Sequence, residues 1–136
     1  MTGITDLNEL LASMSPDMQD GEFVFCTVPE DTTAYNALTP VATFREREGL
    51  TLVLPVVEAD SVGLAYDGTY RQITLEVHSS LSAVGLTAAF ASKLTEYGIS
   101  ANVIAGYYHD HIFVQTDKAE RALAALDELS QQARSG

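Results

Sequence analysis

Residues 42–62, ATFREREGLTLVLPVVEADSV, and residues 103–123, VIAGYYHDHIFVQTDKAERAL, read as two copies of one element. Each holds a strand, a polar turn (Glu48-Gly49 in one, His109-Asp110 in the other), a second strand and an amphipathic helix. A repeated strand-strand-helix unit restricts the chain to folds that use it twice, and it points to two similar half-domains in tandem. The division expected is residues 1–66, with a leading helix, and residues 67–136.

The flanking segments complete the pattern. Asp6 to Met14 predicts a short helix capped by Asp6, with Leu7, Leu10 and Leu11 on one face. Ser15 to Gly21 reads as a turn, because it carries Pro16, Asp17, Asp20 and Gly21. Glu22 to Val28 predicts a strand, Pro29 to Pro40 a connecting loop, and Val41 to Pro55 a hairpin turning at Gly49. Val56 to Val62 follows as a short helix stopped by Gly63. In the second half, Tyr70 to His78 alternates Ile73, Leu75 and Val77 with Gln72, Thr74 and Glu76, which marks a strand with one buried face. Ser79 or Ser80 offers a helix cap, and Leu81, Val84, Ala88, Ala91 and Leu94 then recur at helical spacing up to Gly98. The hairpin Asn102 to Thr116 comes next, then a helix from Lys118 to Ser130 capped by Asp117, and a frayed tail. The order β-α-β-β-α predicts an α+β fold of ferredoxin-like type, with helices on one face of an antiparallel sheet. The first half repeats it in reduced form, the loop from Pro29 to Pro40 standing where the long helix would be.

Composition narrows the partners. With 136 residues and 46% hydrophobic side chains, the chain is expected to be globular. No apolar run reaches the roughly 18 residues of a membrane span. The start, MTGITDLNELLASM, has no basic n-region, so a signal peptide is not expected. The lone Cys26 lies in a strand-like run and reads as a buried free thiol, which with the missing signal favours the cytoplasm. The net charge is −12, and it is lopsided. Through Thr69 there are twelve acidic and two basic residues; from Tyr70 on there are seven and five. That field repels phosphate backbones, so nucleic acid and anionic membranes are not expected partners.

Two stretches carry a resemblance: His78-Ser79-Ser80-Leu81-Ser82-Ala83-Val84-Gly85-Leu86-Thr87 and Gly106-Tyr107-Tyr108-His109-Asp110-His111-Ile112-Phe113-Val114. With these the chain resembles small bacterial tandem ACT-domain proteins, and its second half is similar to the ACT modules of aspartokinases and of animal cytosolic arginine sensors. The resemblance runs from about Gly21 to Leu129. It implies a non-catalytic, amino-acid-binding regulatory fold without a cofactor, acting in trans because no catalytic domain is attached. It also implies a ligand against Ser79, Ser80, Val84, Gly85 and Leu86 on the loop and helix start, and against Gly106, Tyr107, Tyr108 and Asp110 on the hairpin.

The residues themselves give this a physical basis. A helix N-terminus near Ser79 and Ser80 presents free amides and a positive dipole end to a carboxylate. Gly85 removes a side chain and lets a ligand approach, although a packing glycine fits equally. Asp110 suits a ligand ammonium, or the local backbone bonding of a hairpin turn. Tyr107 and Tyr108 suit a pocket wall or a dimer contact, or plain sheet packing. The most plausible ligand is an amino acid or similar zwitterion, and unpaired edge strands predict a homodimer. One rival is an interaction module that has kept the fold and lost the ligand. Another is a metal-dependent enzyme built on His78, His109 and His111, but that pair straddles a turn and no metal site is expected.

Overall fold

The computed structural model describes residues 6–30, 33, 35–76 and 85–135. In chain order its elements are α1 (Leu7–Ser13), β1 (Ser15–Met18), β2 (Phe23–Val28), β3 (Ala42–Glu46), β4 (Gly49–Pro55), α2 (Val56–Ser61), β5 (Tyr70–Glu76), α3 (Leu86–Glu96), β6 (Asn102–Ala105), β7 (Asp110–Gln115) and α4 (Ala119–Ser135), with a 3-10 turn at Thr116–Lys118. They fall into two units, residues 21–70 and residues 1–20 with 71–136.

In the unit of residues 21–70 the strand order is β3-β4-β2, and both pairings are antiparallel. β2 and β3 therefore run the same way with β4 between them, which needs a connection long enough to return along the sheet. The segment after β2 provides it, and its described residues contain no helix, as the sequence predicts for Pro29 to Pro40. The loop is pinned to α2: Thr39 donates its amide to Glu58 Oε1 at 2.7 Å and its hydroxyl to Glu58 Oε2 at 2.6 Å. Val24, Cys26, Val28, Leu52, Leu54 and Ala59 form the core, with Tyr35 and Leu38 of the loop packed against it. Burial pushes the Cys26 thiol pKa up. α2 ends on Gly63: its amide bonds Asp60 O at 3.2 Å, and Leu64 N bonds Ala59 O at 3.0 Å, the paired bonds of a glycine-terminated helix.

The other unit is a four-stranded sheet in the order β1-β5-β7-β6. β7 separates β5 from β6, so the connection through α3 skips a strand, as a split β-α-β unit requires. Ile73, Leu75, Ile112 and Val114 supply one sheet face, and Leu86, Phe90, Leu94, Ala122 and Leu126 the helix side of the core. α3 closes with the same device as α2, Gly98 N to Thr95 O at 2.9 Å and Ile99 N to Leu94 O at 3.0 Å, with Ile99 buried. Lys93, buried on α3, reaches Glu128 Oε1 of α4 at 2.6 Å, while Tyr97 donates its hydroxyl to Glu128 Oε2 at 2.9 Å.

Two expectations are corrected here. Ser15–Met18 is not a turn but a strand, antiparallel to β5 with Pro16 opposite Leu75. Pro16 lacks an amide, and an outer strand tolerates that because one side of it needs no ladder partner. The leading helix packs in the unit that holds residues 71–136, where Leu10 and Met14 are fully buried in the core. Ser130 Oγ, itself buried, donates to Met14 O at 3.0 Å and ties this segment to α4. Finally, α4 does not fray at residue 131 but continues to Ser135, where Arg134 Nη1 donates to Ala12 O at 3.3 Å. α1 itself is capped as expected, Asp6 Oδ1 accepting from Glu9 N at 2.9 Å.

Candidate functional site

β6 and β7 are joined by a turn of Gly106, Tyr107, Tyr108 and His109. Ala105 faces Asp110 in the ladder, and Gly106 N donates to His109 O at 2.9 Å. The turn at residues 106–109 thus lies ahead of the expected His109-Asp110 turn, and Asp110 is a strand residue rather than part of the turn. Glycine is required at 106 by proximity. A Cβ there would lie 2.9 Å from His109 O, 3.1 Å from His111 Nε2 and 3.3 Å from His111 Cδ2.

The turn pushes both tyrosines outward. Tyr107 is 80% exposed and Tyr108 68% exposed, and their rings meet edge to face with centroids 5.0 Å apart. Large, adjacent, exposed aromatic rings on a short turn are what a contact surface uses. Beside them Asp110 is half-buried, and desolvation raises its carboxyl pKa against the opposing pull of His111 and His109. His109 Nδ1 is buried with no hydrogen-bond partner among the described residues.

Below the turn lies a polar cluster that the sequence reading passes over. His111 Nδ1 sits 3.0 Å from Thr74 Oγ1 and 3.2 Å from Gln72 Nε2, and Gln72 Nε2 is 3.3 Å from Thr74 Oγ1. Gln72 and Thr74 alternate with the core residues of β5, which marks a solvated face, yet Thr74 is buried. The signal present in the sequence is the shared period of His111 and Phe113 on β7; Phe113, on that same polar side, is also buried.

The other half of the expected site divides. Ser79, Ser80 and Val84, with His78, lie outside the described residues. The N-cap of α3 is Gly85 rather than a serine, and it carries no side-chain cap. Gly85 has φ 97°, a left-handed conformation that favours glycine. Its open side meets Leu7: a Cβ would lie 3.3 Å from Leu7 Cδ2. Leu86 is buried in the core. The described residues therefore bring Gly106, Tyr107, Tyr108 and Asp110 together on one hairpin, while Gly85 and Leu86 stand at the head of α3 against α1 and the core. Among the described residues no group of three or more His, Cys, Asp or Glu is arranged to hold a metal. Nor, among the described residues, is any helix long and apolar enough to cross a membrane.

Comparison with known proteins fits this fold. Residues 2–71 match one ACT domain family and residues 68–128 match another. A Vibrio cholerae protein of unknown function, described as a possible transport protein, is 60% identical; the alignment covers 91% of this chain and 95% of that one, with a TM-score of 0.84. A protein from Agrobacterium tumefaciens shares the fold at 16% identity and a TM-score of 0.71, over 86% of this chain and 89% of that one. The ligand-free regulatory subunit of aspartate kinase from Thermus thermophilus shares it at 9% identity and a TM-score of 0.55, over 85% and 95%. No curated protein matches in sequence.

Proposed function

Because the chain belongs to the ACT-domain family, with one such domain matched in each half, we propose that it is a regulatory protein that binds an amino acid or similar zwitterion and does not transform it. The observation that carries this reading is the tandem pair of ACT domains, a family whose members commonly bind amino acids and associate. The β6–β7 hairpin supports it, since an exposed tyrosine pair beside a half-buried carboxylate suits a ligand with an apolar body and an ammonium. In this proposal Ser79, Ser80, Val84, Gly85 and Leu86 receive the carboxylate, and Asp110 receives the amine. The protein acts in trans, in the cytoplasm, and pairs with a second copy through an outer strand of one unit.

Calorimetry and thermal melts against the twenty amino acids test the reading. A ligand at a hundred times its dissociation constant stabilises by about 2.7 kcal/mol, well within reach of a melt. Silence across the panel at millimolar concentration ends the proposal. Sedimentation at micromolar concentration reads the dimer separately.

A second reading has its own support. Leu7 fills the space beside Gly85, which suits an interaction module whose glycine serves helix packing. It predicts no melting shift with any amino acid, together with specific capture of a protein partner.

A further inference from the structure

We propose that His111 is the positioning residue of the β6–β7 hairpin, held by Gln72 and Thr74 as the neutral Nε2–H tautomer, and that the Gly106–His109 turn keeps its binding geometry only while this ring is uncharged. The proposal rests on the hairpin being part of the ligand site.

The argument begins with what converges on the ring. Gln72 presents Nε2, an amide donor, 3.2 Å from His111 Nδ1, and Thr74 presents its hydroxyl 3.0 Å from the same atom. The Gln72 amide nitrogen can only donate, and the Thr74 hydroxyl can turn to donate as well; with both donating, Nδ1 keeps its lone pair and the proton sits on Nε2. That nitrogen lies against the face of Gly106, 3.1 Å from where a Cβ would stand. The imidazole thus fills the gap left by the missing side chain and props the residue from which the turn departs. The turn closes on itself through Gly106 N and His109 O, 2.9 Å apart, so a displacement at Gly106 passes directly to Tyr107 and Tyr108.

A second proton enters this arrangement at Nδ1, where it meets the amide hydrogens of Gln72 and only the Thr74 hydroxyl oxygen can turn to accept it. The described charges acting on the ring are few. Burial and His109 disfavour the imidazolium, Asp110 on the same strand favours it, and β5 meets it with the uncharged Gln72 and Thr74. The balance holds the His111 pKa below the ordinary histidine value, with burial the largest cause. Mild acid therefore turns a hydrogen-bonded prop into a charge facing a donor.

The test is long-range proton–nitrogen NMR of the histidine rings in the full, ligand-free chain between pH 8 and pH 5, with the Tyr107 and Tyr108 ring protons followed in the same samples. The expected result is an Nε2–H tautomer for His111 at pH 7.5, a midpoint below about 6.5, the ordinary value, and tyrosine shifts that share this midpoint. In Thr74→Val, which keeps the volume and removes the donor, the midpoint moves up. An Nδ1–H tautomer, a midpoint at or above the ordinary value, or tyrosines indifferent to His111 overturns the proposal. The spectra need no ligand. A panel of amino acids that fails to bind removes the sensing reading and leaves this result standing on its own terms.

Discussion

Alanine at position 106 would put a Cβ 2.9 Å from a backbone oxygen, a contact that no side-chain rotation can relieve. Gly106→Ala is expected to cost about 1–3 kcal/mol, the usual penalty for forcing an extra group into a filled space. Urea unfolding checks it; an unchanged midpoint contradicts the packing described. Lys93 and Glu128 give a second prediction with a sign. Lys93 is buried and Glu128 largely exposed, so the two halves of the pair are unequal. Glu128→Ala leaves a buried ammonium with only the longer contact to Glu96 at 3.9 Å, whereas Lys93→Met frees a carboxylate that water can solvate, so the first variant is expected to lose more stability. The Glu128 carboxyl is held below the usual glutamate range by Lys93 and then by the Tyr97 hydroxyl. A depressed folded pKa gives a contribution that is complete above the unfolded value, about 4.3, and is lost as pH falls through the folded one. Denaturation midpoints measured from pH 7 to pH 3 are expected to fall below that value in the parent chain and to fall less in Lys93→Met.

Among the elements, β1 shows where the sequence stops being informative. The core strands announce themselves by alternation, Ile73 and Leu75 on β5 or Ile112 and Val114 on β7, and both glycine-ended helices are visible in the order of Gly63 and Gly98. Ser15–Met18 has no such pattern. It is short, half-exposed and carries a proline, and only its long-range pairing with β5 makes it a strand. The same limit hides what α1 packs against, because the stripe of Leu7, Leu10 and Leu11 says that a face is buried but not against what. The candidate site was legible in its aromatic and glycine residues, and its polar prop was not, since Gln72 and Thr74 look like any solvated strand face. The energetics of α1 are testable. Leu10 is fully buried, and Leu10→Ala is expected to cost about 2–5 kcal/mol. Removing residues 1–20 altogether is expected to abolish cooperative melting of the unit built on β5, α3, β6, β7 and α4, as followed by circular dichroism.

For the molecule as a whole, charge sets the tone. Nineteen acidic residues against seven basic ones leave −12, and twelve of the acidic groups precede Tyr70. Self-repulsion of this kind weakens with salt, because the screening length shortens to about 8 Å at physiological ionic strength. The melting temperature is expected to rise by a few degrees between roughly 10 mM and 150 mM sodium chloride; a fall would mean that attractive pairs such as Arg45 with Glu30 outweigh the repulsion. The same field favours ligands that bring positive charge, so arginine or lysine is expected to bind more weakly at high salt while neutral amino acids respond little.

The strand at residues 15–18 has a consequence for synthesis. As the chain leaves the ribosome, residues 21–70 can close around their own core while the preceding twenty wait, since their partner β5 and the helix that carries Ser130 have yet to emerge.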